Sequence, residues 1–250
     1  MEVGNVIVSD TDDANFQHFI FHFFKKERAI EDLLRALTSP DLFEIVALTL
    51  RVTGSALLIG TLLGVPLGAL IGLSRFPGKR ILTAIIYTGM GLPPVVVGLV
   101  VYLLLSRSGP LGPLGWLFTP SAMIAAQTLI ALPLVIGLTM TAVEGVSPEL
   151  RRQVVALGAT RAQTAWTILT EARIGLTAAI VAAFGGIISE VGAVMLVGGN
   201  IAGETRVLTT AIVLNTRQGE FSLALALGII LLALTFAVNA LLLRLQGKEK

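Results

Sequence analysis

The chain has no cysteine, only two histidines and little charge: 14% of its 250 residues are Asp, Glu, Lys or Arg. Each shortage excludes something. Without thiols there is no disulfide framework, thiolate metal site or cysteine nucleophile. His18 and His22 both precede the apolar part of the chain. An average soluble domain is about 25% charged, and these acids and bases are too few to coat a soluble surface, so most of the surface must face lipid. Motifs for chemistry are missing too. There is no Gly-x-x-x-x-Gly-Lys-Ser/Thr phosphate loop. The nearest string, Gly72 to Lys79-Arg80, has the wrong spacing and lacks the hydroxyl residue that would hold magnesium. No His-Glu-x-x-His, Ser-His-Asp or paired-carboxylate set stands where chemistry could occur. The chain is therefore expected to carry no catalytic, metal or cofactor-binding residue and not to be an enzyme. The isoelectric point near 9.2 reads as membrane orientation rather than nucleic-acid binding.

What is abundant is apolar sequence, 54% of the chain, with a mean hydropathy of +0.86. A spanning helix needs roughly 20 apolar residues, because the hydrocarbon core is about 30 Å thick and a helix rises about 1.5 Å per residue. Five stretches qualify: about 45–73, 81–105, 121–143, 174–197 and 221–243. The expected fold is all-α and polytopic, with one transmembrane domain over 41–245 and a tail over 246–250. Basic residues select the cytoplasmic side. The link after the first span carries Arg75, Lys79 and Arg80, the loop after the third carries Arg151, Arg152, Arg161 and Arg173, and the tail carries Arg244, Lys248 and Lys250. Five spans put these three regions on one side, with the C-terminus cytoplasmic and the net acidic N-terminus outside. Residues 1–28 lack a basic start, and Phe16 to Phe24 is too short and aromatic for a signal peptide. They are expected to form a disordered extension. Residues 29–40 alternate at helical spacing and are expected to lie as an amphipathic helix on the outer interface.

Several features interrupt the apolar runs. Gly60, Gly64, Gly68 and Gly72 recur every fourth residue. They form a smooth stripe suited to tight helix packing, or alternatively to a hinge or conduit wall, packing being preferred. Gly89-Met90-Gly91-Leu92-Pro93-Pro94 breaks the second span. Two prolines leave carbonyls that lipid cannot satisfy, so the break must face protein or water. Broken helices are common in transporters. Pro133 marks a milder kink. Glu190 is the acid well inside an apolar span. An intramembrane ionisable group is a functional hypothesis by default, though on a path for anions a structural bond is preferred. Arg51 either snorkels to the headgroups or draws anions to an outer vestibule, with Asn200 and Arg206 as further vestibule candidates. Residues 206–216 suggest a short helix dipping back into the membrane, where Thr209, Thr210 and Asn215 serve docking or simple capping.

Residues 147–173 are the polar exception: an expected helical loop between two long apolar segments. So large a polar loop in a compact membrane protein needs a partner, and a soluble motor fits best. The rival classes are an ion-coupled carrier or channel, which should show several intramembrane charges and internal repeats, and a scaffold without a conduit.

Residues 144–173 resemble the cytoplasmic coupling loop of ABC-importer permeases, whose motif is Glu-Ala-Ala, three residues, Gly, nine residues, then Ile-x-Leu-Pro. Gly158 and Ile168 stand at that spacing, and Leu157-Gly158-Ala159-Thr160 is close to the common core. Arg152-Gln153-Val154 replaces the opening triplet, and Thr170-Glu171 the closing Leu-Pro. The string Ser189-Glu190-Val191-Gly192-Ala193 looks like the signature of oxyanion permeases for molybdate, sulfate and tungstate. Its continuation through Ile201, and Thr205 to Ile212, resemble the tungstate-type branch. The resemblance implies the type I importer fold in a prokaryotic cell membrane, and a permease for a tetrahedral oxyanion, tungstate first, with molybdate, sulfate or another anion as alternatives. It further implies a second copy of the chain, an ABC ATPase homodimer that binds the ATP and magnesium, and an extracytoplasmic oxyanion-binding protein. The coupling residues would be Glu149, Arg152, Ala156, Leu157, Gly158, Ala159, Thr160 and Ile168. The conduit or gate candidates are Pro93, Pro94, Ser189, Glu190 and Gly192.

Overall fold

The computed structural model describes residues 40–247. The expected extension over 1–28, the interfacial helix over 29–40 except its last residue, and residues 248–250 of the tail lie outside the described residues. All regular structure among the described residues is helical. Three long apolar helices are unbroken: α1 (Pro40–Leu73), α4 (Pro120–Glu144) and α10 (Phe221–Gly247). Each exceeds the roughly 20 residues needed to cross a bilayer. Two bent pairs bring the possible spans to five. The first joins α2 (Lys79–Met90) to α3 (Pro94–Leu105) at 97°; the second joins α6 (Arg161–Glu171) to α7 (Arg173–Ile188) at 66°. Shorter helices complete the described residues: α5 (Pro148–Ala156), α8 (Gly192–Gly198), α9 (Leu208–Arg217) and a 3-10 turn at Gly112–Leu114.

The glycine stripe does what packing requires. A Cβ on Gly68 would stand 2.6 Å from the Ile136 carbonyl oxygen, and one on Gly64 would stand 2.7 Å from Val135 Cγ1. These are closer than real Cβ atoms come, so only glycine lets α1 lie this near α4. Lipid offers no hydrophobic drive between helices, and close van der Waals contact between small residues takes its place. Gly60 and Gly72 extend the seam against Ala131 and Met140. Pro66 and Pro133 both sit inside continuous helices. Helix α4 is the central post: α1, α2, α3, α7 and α8 all pack on it. Half of its apolar window is buried, against 17% for α10. Leu232 and Phe236 of α10 and Leu62 of α1 stand exposed, as lipid-facing side chains should.

One expectation needs correction. The apolar run 174–197 is not a single helix. Helix α7 stops at Ile188, and α8 begins at Gly192. The Glu190 carboxylate turns back to accept the Ala193 N–H at 2.8 Å, and the Ser189 hydroxyl donates to the Gly185 carbonyl at 2.8 Å. Side chains that bond the backbone locally compete with helix continuation, and here bonds from Gln127 and Thr209 on other helices join them.

Candidate functional site

Three groups of residues carry the sequence candidates, and the polar hairpin is the most sharply built. Ser147 caps α5, its hydroxyl accepting the Leu150 N–H at 3.2 Å, and Pro148 fills the first helical position. The helix ends at Ala156, and two residues on Gly158 takes a φ of +84°, in the left-handed region. There the Gly158 N–H donates to the Val155 carbonyl and the Ala159 N–H to the Val154 carbonyl. This is the paired closure that satisfies the last carbonyls of a helix. Two residues on, Thr160 opens α6 with a reciprocal cap: the Gln163 N–H donates to the Thr160 hydroxyl, and the Thr160 N–H donates to Gln163 Oε1 at 2.8 Å. The turn Leu157-Gly158-Ala159-Thr160 thus closes one helix and starts the next with each of its four backbone N–H groups paired.

One face of α6 is anchored. Thr164, Ile168 and Ala172, four residues apart, are buried, and Ile168 and Ala172 cluster with Ala69 of α1 and Val143 of α4. The other side is open. Leu157 is 88% exposed and Trp166 74% exposed. Ile168 is therefore a root of the hairpin, while Glu149, Arg152, Ala156, Leu157, Gly158 and Thr160 lie on its surface and Ala159 is half-buried. Glu149 and Arg152 pair at 2.7 Å with side chains 66% and 75% exposed. A pair so exposed contributes under about 1 kcal/mol, so both side chains are free to be recruited by a partner.

Two cations secure the end of α1, Arg151 to the hairpin and Lys79 to the end of α4. Lys79 Nζ donates to the Gly72 and Ser74 carbonyls and pairs with Glu144 at 2.8 Å; Arg151 donates to the Leu73 carbonyl at 3.2 Å. Positive groups at the last carbonyls of a helix complement its dipole. In the sequence alone Lys79 and Arg151 stand out only as orientation charges. Their spacing from Leu73 is invisible until the chain folds.

The second group is a junction of two breaks. The α2–α3 break at Gly91–Pro93 faces the α7–α8 break at Ser189–Val191. A Cβ on Gly192 would meet Val95 Cγ2 at 2.5 Å, and one on Gly98 would meet the Ala193 Cα at 2.5 Å. The structure thus brings Pro93, Pro94, Ser189, Glu190 and Gly192 to one place. Pro93 and Ser189 are exposed; Pro94, Glu190 and Gly192 are half-buried. Glu190 acts as the cap of α8, and its own carbonyl accepts the Thr209 hydroxyl at 3.0 Å. Gln127 of α4, not singled out in the sequence, donates to the Ile187 carbonyl at 3.0 Å. A buried amide in the middle of an apolar span was the available signal. Threonines stitch the segment beyond α8. Thr205 donates to the Gly198 carbonyl and accepts the Ile201 N–H, Thr210 accepts the Val207 N–H, and Thr49 of α1 accepts the Leu208 N–H. Thr210 caps α9, Thr209 ties it to the Glu190 carbonyl, and Asn215 bonds back to the Ala211 carbonyl within the helix.

The third group lies at the opposite end from the hairpin. Arg51 and Arg206 line one cavity of about 420 Å³ with Asp41, Glu44 and Glu204. Asn200 takes a positive φ of 54°, and its carbonyl accepts Arg206 Nη2 at 3.5 Å. The cavity therefore gathers three acids and two bases.

Among the described residues no cluster of His, Asp or Glu is arranged to hold a metal ion.

Comparison with known proteins adds to this geometry. The profile of the family described as "Binding-protein-dependent transport system inner membrane component" matches residues 64–248. A probable anion ABC transporter permease protein of Haloferax volcanii is 46% identical over 83% of this chain and 91% of its own length. The tungstate uptake system permease protein TupB of Peptoclostridium acidaminophilum is 42% identical over 88% and 96%. The molybdenum transport system permease protein ModB of Escherichia coli is 31% identical over 74% and 84%. Among solved structures, a bacterial ABC transporter that imports alginate aligns over 96% of both chains, with a TM-score of 0.71 at 20% identity. The MetNI methionine ABC transporter in an inward-facing conformation aligns over 83% and 97%, with a TM-score of 0.66 at 19% identity. Those two support the fold.

Proposed function

The chain belongs to the ABC-importer permease family of binding-protein-dependent inner membrane components, and from that premise we propose that it is the membrane-conduit subunit for tungstate. The observation that carries the mechanical part is the hairpin α5–α6: rigid at its turn, rooted by Ile168, and presenting Leu157 and Trp166 to the outside. Exposed large apolar side chains beside a polar rim suit a protein partner. In this reading two copies of the chain form the conduit. An ATPase homodimer binds ATP and magnesium and grips the two hairpins from the cytoplasm. A binding protein delivers the oxyanion to the opposite face, where the N-terminus lies.

The energetics require such a division. Moving a dianion inward against an inside-negative membrane of 100 mV costs roughly 5 kcal/mol before any concentration gradient. A passive pore would drain the anion outward, and this sequence carries no phosphate loop of its own. The choice of tungstate over molybdate or sulfate rests on the similarity to tungstate uptake permeases.

The test is reconstitution of the chain with its ATPase and binding protein in vesicles. Tungstate is expected to stimulate ATP hydrolysis and to accumulate inside. Stimulation by molybdate or sulfate alone would reassign the cargo. Gly158→Asp is expected to leave insertion intact but to abolish uptake, since it strains the left-handed turn and places a charge on the gripping face. Normal uptake with substrate-stimulated hydrolysis in that variant would overturn the docking assignment.

A further inference from the structure

Between the end of α1 and the hairpin lies a cleft of about 860 Å³ whose two halves differ in chemistry. Its floor is apolar, made by Pro66, Leu70 and Leu73 from the last two turns of α1. Its rim is basic, made by Arg75, Arg151 and Arg161. A neighbouring cavity of about 770 Å³ shares Arg75 and Arg151 with it and adds Lys79 and Arg152. The acids nearby are already engaged: Glu144 with Lys79 and Glu149 with Arg152. Arg151 bonds only a backbone carbonyl, which leaves its charge uncompensated, and the guanidiniums of Arg75 and Arg161 project from exposed residues. The rim therefore keeps a local excess of positive charge.

The position of the boundary matters. Leu70 is 63% exposed and belongs to the apolar run, while Ser74 and Arg75 are the first polar residues after it. The cleft thus straddles the level where hydrocarbon gives way to headgroups. Guanidinium groups hold phosphate through paired N–H donors, and basic pockets between spans at the cytoplasmic surface suit anionic headgroups. A free inorganic oxyanion would use the rim and leave the floor idle. An amphiphile uses both.

We propose that this cleft is a binding site for one anionic phospholipid, its phosphate held by Arg75, Arg151 and Arg161 and an acyl chain laid along Pro66, Leu70 and Leu73. The shared chemistry is a tetrahedral phosphate-type anion, and the apolar floor assigns it to a lipid rather than to released cargo. The assignment goes beyond the transport reading and does not depend on which anion is carried.

The full chain, purified in detergent and stripped of lipid, is titrated with phosphatidylglycerol or phosphatidylcholine and read by native mass spectrometry at constant ionic strength. Phosphatidylglycerol is expected to bind more tightly by about tenfold or more, since each base near the surface contributes on the order of a factor of five. R75Q/R161Q, which leaves the Arg151 cap of α1 intact, is expected to remove most of that preference. R107Q/R217Q, the same charge loss elsewhere, is expected to keep it. Sodium phosphate and sodium tungstate at millimolar concentration are expected not to displace the lipid. Equal binding of the two lipids, or full preference retained in R75Q/R161Q, overturns the site. Displacement by tungstate or phosphate at millimolar concentration or below, with ionic strength held constant, overturns the lipid assignment in favour of a free-oxyanion site on the same arginines.

Discussion

The two breaks that meet beside α4 are made differently. The α2–α3 break is written into covalent structure: Pro93 and Pro94 have no N–H, so the helix ladder fails whatever surrounds it. The α7–α8 break is written into hydrogen bonds. Every residue from Ile188 to Gly192 has an N–H, and nothing in the backbone forbids a continuous helix. What stops it is a set of side chains from three elements: Glu190 capping α8, Gln127 taking the Ile187 carbonyl, and Thr209 bonding the Glu190 carbonyl. The first break is obligatory and local. The second is conditional and depends on the tertiary fold.

That contrast can be attacked directly. The largest effect is expected where the breaks touch. Gly98→Val would drive side-chain atoms into the Ala193 backbone, which a Cβ would already meet at 2.5 Å. Overpacking of this kind costs about 1–3 kcal/mol or more. The thermal midpoint of the purified chain should fall by several degrees, and wild-type stability would mean the breaks do not meet.

Gln127→Leu comes next. It strands the Ile187 carbonyl in a buried place, at an expected cost of about 1–2 kcal/mol. Glu190→Gln keeps an oxygen for the Ala193 N–H, so it should cost less than Glu190→Ala, by about 1 kcal/mol. Chemical denaturation of the four proteins side by side gives the ranking. Equal losses for Gln and Ala at position 190 would show that the charge, not the cap, is what matters.

Pro94→Ala should have the smallest effect, within about 1 kcal/mol in the same assay. Pro93 still denies the ladder, and the packing of α3 on α8 holds the angle. Straightening of α2 and α3 in that variant, seen as a longer distance between spin labels at Ile81 and Leu103, would reverse the ranking of local and tertiary causes.

The same division decides what could be read from the sequence. The double proline and the four-residue glycine period are signals carried by neighbours in the chain, and both correspond to the features expected of them: a break, and a seam against another helix. The polar hairpin was legible because Ser147, Gly158 and Thr160 are local start and stop residues. The break at Ser189–Val191 was hidden by apolar residues on both sides, and its partners Gln127 and Thr209 are distant in sequence. Lys79 and Arg151 were seen as charges but not as caps, because the carbonyls they bond belong to another helix.

Lys79 and Arg151 also gather several helix ends at one place. Arg151 fastens the foot of α1 to the hairpin, Lys79 fastens it to the end of α4, and the glycine seam zips α1 to α4 above. Contacts as close as those of Gly64 with Val135 and of Gly68 with Ile136 and Thr139 leave that seam little room to slide. The hairpin, α1 and α4 thus share one fastened base, and the two helix breaks lie outside it.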